Sequence, residues 1–437
     1  MPDCTATKVE FSKLGRRELQ VDFSGGAISS DGGLLLLREV DRRLKLTERV
    51  AKVVGDPRDP DLITHSLVDL LRQRIYGIAQ GYEDLNDHER LREDALLQSV
   101  LNRKVALGSA PTLCRMENRA RRAEGWAIHR EMIETFIASF AQAPEELVLD
   151  FDATDDPVHG RQEARFFHGY HDHYCFLPLY VFCGEQLLVA YLRPSKIDEA
   201  LHAGAILRLL VKRLRQAWPA VRIILRGDSG FCRRTILSWC ERNGVSYCVG
   251  LAKNSRLNAL TQWQRQRLAL QFALTQTKQR EFADLRYGAH TWHCERRVIA
   301  RLEHADKGDN PRYIVTNLEG EAAALYEQLY CARGEMENRI KEAQLGLFAD
   351  RTSCHDFLAN QFRLLLSSLA YILIERLRTQ GLAATEFASL QATTLRAKLL
   401  KIGAVIIRNT RRVRVLLSSA FPYQEIFCQA VRALRSP

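Results

Sequence analysis

The chain has 437 residues, 46% of them hydrophobic and 26% charged, and a formal net charge of +11. Domains of roughly 100 to 200 residues make two to four folded units the expectation, and the balance of apolar and charged residues fits a soluble globular protein. No apolar run of about 18 residues stands out as a bilayer span, and the opening MPDCTATKVEF lacks the apolar stretch of a secretion signal, so the reading at this level is a cytoplasmic protein with a large polyanion as the favoured partner.

The eleven cysteines occur singly and no CxxC pair is present, which points to reduced structural thiols rather than a disulfide or zinc framework. Residues 1–140 read as a mainly helical DNA-binding region. ELQVDF is strand-like, and Ser30 or Asp31 can cap a helix beginning GGLLLLREVDRRL. A second helix is expected over about Leu62 to Ile78, and a third from about Pro111 with Thr112 as its cap. The third brings Arg115, Arg119, Arg121 and Arg122 within three turns, either as a phosphate-contacting face or as a solvated basic one.

From Glu146 the pattern changes to short apolar runs rich in β-branched and aromatic residues, the mark of strands. LVLDFD, YCFLPLYVFC and QLLVAYLRP are three such runs, the last two joined by a hairpin at Gly184-Glu185. A helix over about Glu199 to Trp218 stops at Pro219, VRIILRGDSGF is the next strand, a helix covers about Arg233 to Arg242, and SYCVGLAK returns to strand. This β-β-β-α-β-α-β order is that of an RNase H-like α/β core with a mixed sheet. Residues 141–253 are its first part, 254–318 an inserted β subdomain, 319–375 the helices that complete the core, and 376–437 a C-terminal basic region with Arg408, Arg411, Arg412 and Arg414.

Three carboxylates carry the chemistry. The two-residue period of a strand sends Asp150 and Asp152 to one face of LVLDFD, among apolar neighbours where an acid is costly unless paired or metal-bound. Asp228 closes IILRGD at the C-terminal end of a strand, where ligands of α/β sheets bind; helix capping is its plainer alternative. The long helix around YCARGEMENRIKEAQ offers Glu335, Glu337 and Glu342. At about 100° per residue, with Tyr330 at zero, Arg333, Glu337 and Gln344 fall near −60°, −20° and −40° on one stripe, whereas Glu335 and Glu342 face away. Oxygen ligands from two strands and a helix suit two Mg²⁺ ions, with Mn²⁺ as a substitute, bridged across a phosphate undergoing in-line displacement. Arg333 can hold a phosphate bidentately. His168, His171 and His173 with Cys175 have poor spacing for zinc and read as packing or solvent residues, and Trp292 reads as core packing with base stacking as the alternative.

These segments resemble a known family. DFDAT, the GDSGF turn and YCARGEMENRIKEAQ are similar to DDE transposases of bacterial insertion sequences; DATDDPVHG, HGYHDHYCFLPLYVF and ENRIKE resemble most closely the insertion-sequence family "thirteen-eighty", in the group with a Tyr-x2-Arg-x3-Glu-x6-Lys signature. The resemblance implies Asp152, Asp228 and Glu337 as the catalytic, metal-binding triad and Tyr330 and Arg333 as signature residues. It also implies a β insertion between Asp228 and Glu337, which are 109 positions apart, and cut-and-paste transposition through a hairpin-ended intermediate. Gln344 stands where the signature has Lys, an amide that can still donate to a DNA phosphate, and Lys341, on the same side of the helix, can supply the missing charge. The expected partners are the element's terminal inverted repeats and target DNA, gripped by Arg115, Arg119, Arg411 and Arg412 as well as by the signature residues, with a homodimer on paired ends. The rival readings are a metal-dependent DNA endonuclease without strand transfer and an inactive, transposase-derived DNA-binding protein.

Overall fold

The computed structural model describes residues 9–435. They form two compact units, one of residues 121–345 with 349–368, the other of the described part of 1–120 with 346–348 and 369–435.

The first unit is built on a large mixed sheet with helices packed on it. Glu146–Ala153, Arg222–Gly227 and Ser246–Leu251 run parallel, with Leu149 opposite Leu225 and Leu225 opposite Tyr247. Leu179–Cys183 and Gln186–Tyr191 extend the sheet antiparallel beyond Glu146–Ala153. The run YCFLPLYVFC is two strands rather than one, His173–Phe176 and Leu179–Cys183. Pro178 lies between them, with no N–H to offer a ladder. The helices Ala203–Ala217 and Arg234–Arg242 return the chain between the parallel strands, and the first turns Leu207, Leu210, Val211 and Leu214 inward.

The segment 254–318, expected as an inserted, mainly β subdomain, also carries helices. It opens with two helices, Ser255–Leu260 and Gln262–Thr275, and its strands continue the central sheet. Arg312–Thr316 pairs with Ser246–Leu251, Arg296–Ala305 pairs with Arg312–Thr316, and Gln279–Tyr287 lies outermost of the three. Ser246–Leu251 would otherwise be an edge with a row of unpaired N–H and C=O groups, and the new strands satisfy it. They bring Val298, Ala300, Leu302 and Val315 into the same hydrophobic core.

In the second unit Leu34–Leu44, Leu46–Val54, Leu67–Gln80, Ala95–Val100 and Ala110–Asn118 are helices. Neither Ser30 nor Asp31 caps the first, whose N-cap is Gly33. The Asp31 carboxylate accepts instead from Lys401 at 2.6 Å and the Tyr82 hydroxyl at 2.8 Å. The second expected helix starts late, at Leu67, because the Ser66 hydroxyl accepts from the Asp69 N–H and fixes its end there. The third is two helices: it ends at Asn118 with Ser109, not Thr112, as N-cap, and a new one, Arg122–Ile137, is already part of the first unit. The four arginines therefore do not share one continuous face. The C-terminal run forms the hairpin Ala404–Arg408 with Val413–Leu417, joined by Ile28–Ser29, and a helix covers Gln424–Arg435.

One expectation about apolar runs needs correction. The segment Phe357–Gly381 is helical, long and apolar enough to cross a membrane, but 89% of its most apolar window is buried inside the protein. Burial on all sides makes a helix apolar all round whether lipid or protein surrounds it, and here the surroundings are protein.

Candidate active site

The two strand acids come together because Glu146–Ala153 and Arg222–Gly227 are parallel neighbours, so both C-terminal ends open on the same edge. Asp152 is buried near the end of the first, its side chain 12% exposed. Asp228 follows the last residue of the second and caps the short turn Ser229–Phe231, its Oδ1 accepting the Gly230 N–H at 2.8 Å. The capping reading of Asp228 thus holds, at a short turn that also sets the carboxylate at the end of the strand.

Glu337 arrives on the helix Gly334–Lys341, but the segment before and after is not a regular α-helix. Leu325–Tyr330 and Glu342–Gly346 are π-helical, and Cys331–Arg333 is a tighter 3₁₀ turn. Such irregular turns add and subtract rotation relative to 100° per residue. Over Arg333 to Glu337 the arithmetic holds. The Arg333 guanidinium donates to Glu337 Oε1 at 2.6 Å and reaches Asp152 Oδ2 at 3.3 Å, linking the strand acid to the helix acid. Tyr330 reaches the same edge: a Cβ on Gly250 would lie 2.7 Å from its hydroxyl and 2.8 Å from the Ser229 N. Glycine at 250 is what lets the tyrosine and the Asp228 turn approach this closely. Burial pushes the Tyr330 phenol up to about 12.

Beyond the π-helical turn the stripe is lost. Gln344 donates to the Asp156 carboxylate at 2.8 Å and to the Asp155 carbonyl at 3.1 Å, tying the helix to the turn that follows Asp152. Asp156 is completely buried, and burial drives its carboxyl far above the usual range, against the pull of Gln344. Glu342, expected in solvent, is buried and lies 3.9 Å from Arg339. Lys341 is exposed, as is Glu335.

Electrostatics define the site as one unit. Burial raises the Asp152 carboxyl to about 7; Arg333 opposes the rise, and the negative charges of Asp228 and Glu337 add to it. Three carboxylates that repel one another with one guanidinium between them form a place where further positive charge is welcome. All the donors are carboxylate oxygens, the ligand type of hard divalent cations, so the residues present fit Mg²⁺ or Mn²⁺. Among the described residues Glu241, His293 and Cys294 also bring ligand atoms within 4.8 Å of one another, but both Glu241 oxygens accept from Arg296, at 2.6 and 2.9 Å.

Asp150, two residues before Asp152, has a different task. It is gripped by two nitrogens of Arg226, its register partner on the neighbouring strand, while Arg226 Nη1 donates to the Leu329 carbonyl at 2.6 Å. The pair joins both acid-bearing strands to the segment leading to Glu337, and sequence reasoning passed over it. The available signal was an arginine inside the apolar run IILRGD.

Of the basic residues, Arg115 is exposed and donates to Thr112 Oγ1 at 3.2 Å, while Arg119 turns to Asp56 at 3.2 Å. Arg411 and Arg412 are exposed at the tip of the C-terminal hairpin, where Asn409 Oδ1 accepts their backbone N–H groups. Trp292 packs edge-on against Tyr287 with Arg296 over its ring, as the core-packing reading has it. Cys175 is buried, apart from a histidine pair that flanks Asp155.

Together these features define an α/β protein whose acidic site lies where two parallel strands end and a helix crosses them. The family described as transposase DDE domain group 1 matches residues 11–436, and the chain belongs to that family. No curated protein matches it. Among solved structures it is similar to the piggyBac transposase in a synaptic complex with hairpin DNA, with a TM-score of 0.39 and 9% identity, covering 94% of this chain and 83% of that one.

Proposed function

We propose that this protein is a DNA transposase of an insertion sequence, with Asp152, Asp228 and Glu337 as its catalytic carboxylates on an RNase H-like core. The observation that carries the reading is the convergence of three acids from distant parts of the chain: Asp152 and Asp228 at the ends of neighbouring parallel strands, and Glu337 linked to Asp152 through Arg333 at 2.6 and 3.3 Å. The sheet supports the core: three parallel strands, with two antiparallel ones beyond the strand of Asp152. Two Mg²⁺ ions, replaceable by Mn²⁺, would be held by the triad, and when bound they supply nucleophile activation and charge neutralisation for in-line displacement at phosphorus.

The chain's own groups then have definite tasks. Arg333 presents a planar fork that can leave its carboxylates for a phosphate and bind it bidentately. The Tyr330 hydroxyl, held beside the Asp228 turn, orients a phosphate or a displaced nucleotide. Arg226 and Asp150 keep the strand ends in register with the Glu337 segment. Hydrolysis at the element's ends, followed by attack of the freed 3′-hydroxyl on target DNA, gives excision and strand transfer, with a hairpin end as the intermediate the signature implies. We further propose a homodimer on paired terminal repeats, working in the cytoplasm on nucleoid DNA.

The test is Mg²⁺-dependent excision from a plasmid carrying this gene and its native flanks, comparing wild type with Asp228→Ala and Glu337→Ala. Excision and joining by wild type alone support the transposase. Cutting without joining would make it an endonuclease, and binding without cutting an inactive descendant.

A further inference from the structure

Between Ala153 and Leu179 the chain leaves the main sheet and forms a small antiparallel one from Asp156–Pro157, Phe166–His168 and His173–Phe176. His168 opposes His173, so Gly169 to Asp172 make the tip of a hairpin. Its large rings face outward: Phe166 is 39%, Phe167 54%, Tyr174 46% and Tyr170, at the tip, 88% exposed. Cations lie over two of them, the Arg165 guanidinium 4.4 Å from the Tyr174 ring centre and the Lys196 amine 6.0 Å from that of Phe166. Phe167 and Tyr174 pair edge-on on one face of the hairpin, ring centres 5.7 Å apart, Phe166 lies on the other face, and Tyr170 stands at the tip against His171; so many exposed rings on one short hairpin mark a binding surface.

The hairpin is tied to the catalytic edge from two directions. Asp155, three residues after Asp152, accepts from His173 Nε2 at 2.8 Å and lies 3.4 Å from His171 Nδ1. The segment that leads to Glu199 also holds the hairpin, the Ser195 hydroxyl donating to the Phe166 carbonyl at 2.9 Å. Glu199 in turn lies over Gly230, where an added Cβ would come 2.1 Å from its carboxylate and 3.0 Å from Asp228 Oδ1. The hairpin is thus anchored to segments that adjoin the ends of both acid-bearing strands.

Cations interleaved with flat, exposed rings match one kind of partner, an unpaired stretch of nucleic acid, whose phosphates meet the cations and whose bases stack on the rings. Paired bases in a duplex already stack on each other and present no free face. We propose that the hairpin from Arg165 to Tyr174 grips unpaired DNA at the end being cut, with Tyr170 stacking on an extruded base and Arg165 and Lys196 on the adjoining phosphates. This rests on the DNA transposase reading. It gives a base-stacking role to this hairpin, whose tip residue Tyr170 is 88% exposed, rather than to Trp292, which is half-buried against Tyr287.

The experiment measures binding of the full-length protein, with Ca²⁺ in place of Mg²⁺, to two oligonucleotides bearing the element's end, one fully paired and one with a few unpaired terminal nucleotides containing 2-aminopurine. Wild type should prefer the unpaired end and alter the 2-aminopurine fluorescence. Tyr170→Ala should weaken binding to the unpaired end by roughly 5- to 100-fold and abolish the fluorescence change while leaving duplex affinity as it was, and Tyr170→Phe should restore both. Thermal melting of the variants verifies that the fold is intact. Equal binding and fluorescence for wild type and Tyr170→Ala would overturn the stacking role, as would no preference of wild type for the unpaired end. Cleavage in Mg²⁺ separates the two failures: a wild type that cuts the end while Tyr170 proves neutral refutes the hairpin alone, and one that never cuts removes the reading beneath it.

Discussion

Arg226 grips Asp150 through two nitrogens across adjacent parallel strands, and both side chains are buried. A buried pair is strongly missed when one partner is removed, because the other is left charged without solvent. Arg226→Met should therefore cost about 3 to 5 kcal/mol in urea unfolding, with activity lost alongside stability. A variant as stable as wild type would show that the pair is not what holds the strand ends together.

Asp152 should behave in the opposite way. Its carboxyl is raised to about 7 in the folded protein, against about 4 in an unfolded chain. Between those values the folded state binds the proton more tightly, so the metal-free protein should lose stability as pH rises from about 4 to about 7, at about 1.4 kcal/mol per unit of raised pKa. Asp152→Asn should flatten this slope and abolish cutting without destabilising the protein at pH 7. Urea titrations at several pH values measure it, and an unchanged slope in the variant would assign the effect to another group.

Gln344 is bonded to Asp156 and to the Asp155 carbonyl. Gln344→Leu should cost about 1 to 3 kcal/mol, the penalty for leaving buried acceptors without a donor. If the residue acts through these bonds, the salt dependence of DNA binding should be the same in wild type and variant. A shallower dependence would instead place Gln344 on a phosphate.

Arg411 and Arg412 are exposed, whereas Arg119 is engaged with Asp56. Each phosphate contact removed should lower the slope of log affinity against log salt by about one. Arg411→Ala and Arg412→Ala should show that change and Arg119→Ala a smaller one. Three equal slopes would refute the distinction.

Local pattern made much of this protein legible. The alternation of apolar strands with helices from Glu146 to Leu251, the placement of Asp152 and Asp228 near strand ends, and the stripe joining Arg333 to Glu337 all follow from side-chain periods of two and 3.6 residues. Those rules act over a few residues and need no knowledge of neighbours. They failed where a neighbour decided the outcome. Residues 254–318 read as a mainly β insertion, but nothing local told that the open edge of Ser246–Leu251 takes their strands into the central sheet. Gln344 lay on the stripe in an ideal helix, until π-helical turns and a buried carboxylate at Asp156 turned it elsewhere. The helix from Phe357 falls in the segment read as core helices, but that it is long and apolar enough to cross a membrane was missed, and composition alone does not say what surrounds it. The amino-acid order by itself determined which acids stand at the ends of which elements. Only the tertiary structure decided that they meet, that Arg333 lies between two of them and that Asp150 is held by Arg226, because burial and charge act through space between residues that the chain keeps far apart.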